Sequence, residues 1–169
     1  MILMTGGSKS GKSSYALLKA AEFKNRAFIA TAVAFDDEMK DRIQNHRLER
    51  SSEYTTYEEP IDVISCLEKI GHKHDVIILD CVTVWLGNLL HQFDGDVEKI
   101  GHHFDGLINI SSEIAAELII VTNEVGMGIV PDNPLSRKFR DLAGMLNQKL
   151  AASATEVSLV VSGIPVKIK

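Results

Sequence analysis

Two cysteines in 169 residues, Cys66 and Cys81, are too few for a disulfide framework and lack the spacing of a metal site. That usage suits a reducing cytosol, so a cytoplasmic protein is expected. No apolar run approaches the roughly 18 residues a membrane helix needs, and no basic leader precedes a long apolar stretch, so neither a membrane span nor a signal peptide is expected. Positive charge is not in excess either. With 18 Lys and Arg against 23 Asp and Glu, the net charge is −5, which leaves no electrostatic ground for nucleic acid or an anionic membrane as partner. Repeats, low-complexity tracts and linkers are missing as well. What remains is 45% hydrophobic residues over 169 positions, enough for a single domain spanning residues 1–169 around one sizeable core.

The most informative stretch is the first one, MILMTGGSKSGKSS. Gly6-Gly7-Ser8-Lys9-Ser10-Gly11-Lys12-Ser13 fits the phosphate-loop pattern G-x-x-x-x-G-K-[ST] without a mismatch. Glycines let backbone N–H groups converge on phosphate oxygens, Lys12 reaches the β and γ phosphates, and the Ser13 hydroxyl is a ligand for Mg²⁺. The context agrees. Ile2-Leu3-Met4 reads as a short buried strand, and Ser14 to Phe23 as a helix with Leu17, Leu18 and Ala21 at helical spacing. The pattern points to a nucleoside triphosphate and does not say which one.

Further strands are expected at Ala27–Ala32, Asp75–Asp80, Glu117–Asn123 and Glu156–Val161, followed by a turn at Gly163-Ile164-Pro165 and a last edge strand, Val166-Lys167-Ile168. These runs are apolar almost throughout, as parallel strands covered on both faces are. The expected architecture is α/β, a mostly parallel sheet of the P-loop NTPase type, RecA-like, with helices on both faces. Asp80 closes its strand where an acidic residue completes Mg²⁺ coordination opposite a phosphate loop. With the loop upstream, that role is favoured over a strand-ending Asp that caps the next turn.

Residues 35–50 place acids first and bases last, the polarity a helix dipole favours. Met39, Ile43, His46 and Arg50 share one stripe at 100° per residue, flanked by Arg42 and Arg47. Cations beside an imidazole disfavour its charged form and leave a nucleophilic nitrogen. Spacing alone favours the other reading, a histidine at the edge of a packed helix face with solvated arginines around it.

Taken together, TGGSKSGKS, IATA followed by DDEM and RIQNHR, Thr56-Tyr57-Glu58, LDCVTVWLGNLL, and TNEVGMGIVP with the segments up to VSLVVSGIPVKIK resemble the bifunctional adenosylcobinamide kinase/adenosylcobinamide-phosphate guanylyltransferase family of cobalamin biosynthesis. The resemblance runs nearly the whole length of the chain. It implies phosphorylation of adenosylcobinamide by GTP or ATP, then attack of a histidine on the α phosphate of GTP and transfer of GMP to adenosylcobinamide phosphate. It assigns the nucleophile to His46, and nucleotide contacts to Gly6 through Ser13, to Ala30, Thr31 and Ala32, to Arg47, Leu48, Glu49 and Arg50, to Glu58 and to Asp80. It also implies Mg²⁺ and a homo-oligomer, trimeric in the family's pattern. This chain departs from the family at three points. It has Lys9 where many members carry arginine, which loses a two-pronged phosphate contact. Asp80 stands where some have Glu, and Asn45 precedes His46 where some have a histidine pair. Without the resemblance, the phosphate loop equally suits a nucleotide-driven switch or ATPase module, and a kinase without guanylyl transfer is a narrower alternative.

Other conspicuous residues have plainer readings. Trp85 lies in an apolar helical stretch and reads as core or subunit contact before it reads as a stacking platform. His72, His74, His91, His102 and His103 read as surface residues, and Arg137, Lys138 and Arg140 as a solvated helix face. Asn123 and Glu124 end a strand where open α/β sheets place ligand contacts.

Overall fold

Side chains that alternate along the central strands point to opposite faces, and both sets are apolar, so this sheet has to be covered twice. The computed structural model describes residues 1–34 and 53–169. Among them the strands are β1 (Ile2–Thr5), β2 (Arg26–Ala30), β3 (Tyr54–Glu58), β4 (Val76–Asp80), β5 (Glu117–Val121), β6 (Glu156–Val161) and β7 (Ile164–Lys167). The helices are α1 (Lys12–Ala20), α2 (Val63–Ile70), α3 (Val82–Gln92), α4 (Val97–Glu113) and α5 (Pro134–Ser153). The strands build one seven-stranded sheet in the order β3-β2-β4-β5-β1-β6-β7, parallel except for the β6–β7 pair.

Leu3, Ile29, Leu79 and Ile120 face the larger core, where Leu67 of α2, Trp85 of α3, Phe104 of α4 and Leu146 of α5 meet them. Met4, Phe28, Ile78 and Val121 face the smaller core under α1, against Ala16 and Ala20. Helix starts follow capping chemistry. Asp62, Asp96 and Asn133 accept hydrogen bonds from the first turns of α2, α4 and α5, and Pro134 opens α5.

Pairing aligns the functional edge. Glu58 pairs with Ala30, Ala30 with Asp80, Asp80 with Val121, and Val121 with Met4. The carboxyl ends of five parallel strands are therefore level, with the phosphate-loop sequence leaving the sheet just after Met4 and Thr5.

One strand expectation needs correction, and one strand was not expected. The last turn is Ser162-Gly163, both at positive φ (52° and 81°), and β7 begins at Ile164 and contains Pro165. A type I′ hairpin turn has both of its central residues at positive φ, and an edge strand tolerates a proline. Tyr54–Glu58 forms a strand that apolar content did not announce, because it lies at the sheet edge and only Tyr54 and Tyr57 are half-buried, the rest being exposed. The expected helix over residues 35–50 lies outside the described residues.

Trp85 is fully buried, and its indole N–H donates to the Ile61 carbonyl at 2.8 Å. It is a core residue. Trp85→Ala is expected to cost about 3–5 kcal/mol and to lower the melting temperature by about 10 °C in thermal denaturation. An unchanged melting temperature would refute this packing role.

Candidate active site

The loop between β1 and α1 is fixed from three sides. Gly6 has φ +151°, and a Cβ there would lie 2.3 Å from the Val160 carbonyl oxygen of β6. Gly11, at φ +96°, approaches Gly163 so closely that a Cβ would sit 3.1 Å from its Cα. The Gly163 N–H donates to the Ser10 carbonyl at 2.8 Å, and the Glu124 N–H donates to that of Gly6 at 2.9 Å. The loop thus rests on the β6–β7 turn and on the segment after β5, while Gly7, Ser8 and Lys9 stand exposed at its crown. Lys9 has φ 55°.

No side chain caps the first turn of α1. Its amides are left to an external acceptor, and the positive end of the helix dipole favours an anion there. Lys12 is buried, 6% exposed, and donates to the Gly7 carbonyl at 2.6 Å. Burial pushes its pKa below the ordinary lysine value, while the nearby Cys81 and Asp80 pull it back up. The Cys81 thiol is itself pushed up to about 11, first by burial and then by Asp80. At neutral pH it is therefore a thiol, and Asp80 supplies the negative charge near Lys12.

Asp80 does not cap the following helix. Cys81 does, its sulfur accepting from the Val84 N–H at 3.4 Å. The half-buried Asp80 carboxylate makes no hydrogen bond or ion pair among the described residues. It stands at the strand edge with oxygens available to an ion, and Ser13 lies half-buried in the loop's last position. The described residues hold no group of three or more His, Cys, Asp or Glu side chains suited to a metal. The Asp80 carboxylate and the Ser13 hydroxyl are oxygen donors, the kind a hard cation such as Mg²⁺ takes.

Thr31 is used structurally. Its hydroxyl donates to the Cys81 carbonyl at 2.9 Å and accepts from the Cys81 N–H at 3.0 Å. Asn88 of α3 donates to the Thr31 and Pro60 carbonyls. This clasp fixes the β2 and β4 ends relative to each other, so that Ala30 and Ala32 flank the edge and Glu58 stands exposed beside them. His46, Arg47, Leu48, Glu49 and Arg50 lie outside the described residues.

A polar ring escaped the sequence reading. The Asn123 N–H donates to the Thr83 hydroxyl (2.6 Å), and the Thr83 and Thr122 hydroxyls are 3.1 Å apart. Thr122 donates to Asn147 Oδ1 (2.7 Å), and Asn147 Nδ2 reaches the Asn123 carbonyl (3.2 Å) and Glu124 Oε2 (3.5 Å). The only signal would have been polar residues interrupting apolar stripes in α3 and α5. The three cations at the start of α5 are occupied locally. Arg137 binds the Pro131 and Asp132 carbonyls, Lys138 the Gly95 carbonyl, and Arg140 its neighbour Asp141. His72, His91 and His102 are exposed as expected, whereas His74 contacts Tyr57 and Asn25, and His103 packs against Phe93 and Trp85.

A family model for cobinamide kinase / cobinamide phosphate guanyltransferase matches residues 2–168. The chain belongs to this family. It is 42% identical over 180 residues to the bifunctional adenosylcobalamin biosynthesis protein CobU of Escherichia coli, with 100% of this chain and 99% of that protein covered. It is also 42% identical, at the same coverage, to the protein of that name from Salmonella typhimurium. To the bifunctional adenosylcobalamin biosynthesis protein CobP of Pseudomonas aeruginosa it is 37% identical over 168 residues, covering 99% of this chain and 96% of that one. Membership in the cobinamide kinase / cobinamide phosphate guanyltransferase family thus extends over the whole sheet, including the loop and the Asn123-Glu124 segment. Among the described residues no helix is long and apolar enough to cross a membrane.

Proposed function

We propose that this chain carries out both reactions its family is named for, within one P-loop, RecA-like domain: phosphorylation of adenosylcobinamide, then guanylylation of adenosylcobinamide phosphate. The observation that carries the reading is Lys12, buried beneath a glycine-shaped loop at the uncapped start of α1, with Asp80 on the same sheet edge.

In the first step the loop amides from Gly6 to Ser13 hold the triphosphate of GTP or ATP. Lys12 exchanges the Gly7 carbonyl for the β and γ oxygens, so its charge moves from a neutral acceptor to an anionic one. Ser13 and Asp80 would hold Mg²⁺, which supplies charge neutralisation at the transferring phosphoryl group. Little covalent work falls to the protein, and positioning dominates. Ala30, Ala32 and Glu58 line the adjoining edge on the nucleoside side.

In the second step His46, neutral among Arg42, Arg47 and Arg50, attacks the α phosphorus of GTP and releases pyrophosphate. The histidine-bound GMP then passes to adenosylcobinamide phosphate and gives adenosylcobinamide-GDP. A phosphoramidate suits this relay, since imidazole attacks when neutral and leaves readily from phosphorus. Arg47 through Arg50 supply the nucleotide contacts from that segment. The working protein is a cytoplasmic homo-oligomer, trimeric as in the family's pattern, with the corrinoid and the nucleotide as its partners.

Labelled nucleotide tests both steps. With adenosylcobinamide, γ-labelled GTP is expected to label the corrinoid, and α-labelled GTP to leave acid-labile, base-stable label on the protein. A corrinoid left unlabelled would refute the kinase step, and a protein left unlabelled the guanylyl step.

A further inference from the structure

We infer that Glu124 is the group that takes the proton from the acceptor hydroxyl during phosphoryl transfer, and that Asn147 holds its carboxylate in place. This rests on the kinase step proposed above and adds a residue to it.

Position is the first support. Glu124 follows β5, the strand between β1, which bears the loop, and β4, which bears Asp80. Its own N–H is tied to the Gly6 carbonyl at 2.9 Å. The residue is therefore anchored to the first glycine of the loop, at the edge where a γ phosphate would lie. Asn147 approaches from α5 on the large-core side of the sheet, whereas Lys12 opens α1 on the other side. A nucleotide gripped from the α1 side leaves the opposite side to the acceptor.

The second support is the direction of the hydrogen bonds. Each hydroxyl in the ring has one proton to give. Thr122 gives its proton to Asn147 Oδ1, so Thr83 must give its own to Thr122, which frees the Thr83 oxygen to accept from the Asn123 N–H. With Oδ1 committed as acceptor, the Asn147 amide has one orientation, and Nδ2 is turned toward the Asn123 carbonyl and Glu124 Oε2. The Gly126 N–H holds Oε1 at 3.1 Å. Both donors are neutral, and no lysine or arginine pairs with Glu124 among the described residues. The carboxylate is aimed without being neutralised, which a proton acceptor requires.

The step balances. The hydroxyl O–H bond of the acceptor breaks and its proton goes to Glu124. The oxygen forms a bond to the γ phosphorus as the bond from that phosphorus to the β–γ bridging oxygen breaks, and the nucleoside diphosphate leaves. Solvent then takes the proton from Glu124.

Glu124→Gln keeps the shape and an acceptor for Gly126, and removes the basicity. It is expected to lower kcat of corrinoid phosphorylation by about 100-fold or more, with GTP affinity and α-label on the protein unchanged. Asn147→Ala is expected to lower kcat about tenfold, and to cost nothing further when added to Glu124→Gln, as non-additivity requires of a residue acting through another. A Glu124→Gln protein within fivefold of wild-type kcat, or one that loses GTP binding in parallel, would overturn the inference. If Asn147→Ala fails to fold, Glu124→Gln alone decides. A wild-type chain that phosphorylates no corrinoid overturns the kinase reading itself, whereas an active wild type with an equally active Glu124→Gln overturns only this inference.

Discussion

Lys12→Met is expected to reduce corrinoid phosphorylation about a thousandfold, the scale of losing one preorganised charge at a site of developing negative charge, and to weaken triphosphate binding as well. The same substitution should not destabilise the ligand-free fold. Burial lowers the Lys12 pKa, so the folded state disfavours its charged form relative to the unfolded chain. That penalty is fully present below the folded pKa and disappears as pH rises through the unfolded value. At neutral pH methionine removes it. Thermal unfolding without nucleotide should therefore occur at the wild-type temperature or above, and saturating Mg²⁺-GTP should raise the wild type more than the variant. A variant that melts well below wild type without ligand would mean that Lys12 serves the fold before the phosphate.

His46→Ala is expected to abolish the acid-labile adduct from α-labelled GTP and to lower guanylyl transfer by about 10⁶-fold, the scale of removing a covalent nucleophile. Phosphoryl transfer to adenosylcobinamide should persist, because its groups lie in the β1–α1 loop, on α1, on β4 and just after β5 rather than in the segment carrying His46. The separation matters chemically. A single-displacement guanylyl transfer needs no protein nucleophile, so it would survive the substitution and leave no label on wild type. A labelled His46→Ala protein would move the nucleophile elsewhere.

The parallel core was legible because β1, β2, β4 and β5 are largely buried on both faces and, like β6, read as runs that are apolar almost throughout. The loop was legible because Gly6 and Gly11 stand where a side chain would strike Val160 or Gly163. Tyr54–Glu58 was not, since an edge strand owes its place to pairing with β2 and carries little apolar signal. The resemblance assigns Thr31 a nucleotide contact, and the structure adds that its hydroxyl holds the backbone of Cys81, fifty residues away. Nothing local in IATA announces that partner. The ring through Thr83, Thr122 and Asn147 was invisible for the same reason, because its members come from three elements and meet only after the sheet has formed.

The position of β1 has a consequence for assembly. Ile2 sits beside both Ile119 and Glu156, so the first strand becomes central only when segments more than a hundred residues downstream arrive. Closing such long chain loops is entropically costly and slow. The phosphate loop takes its shape from Glu124 and from the 160–163 turn, so it is complete only once those segments are in place. A sheet without those segments lacks two of the supports of the triphosphate cradle, so bound nucleotide favours the fully assembled fold.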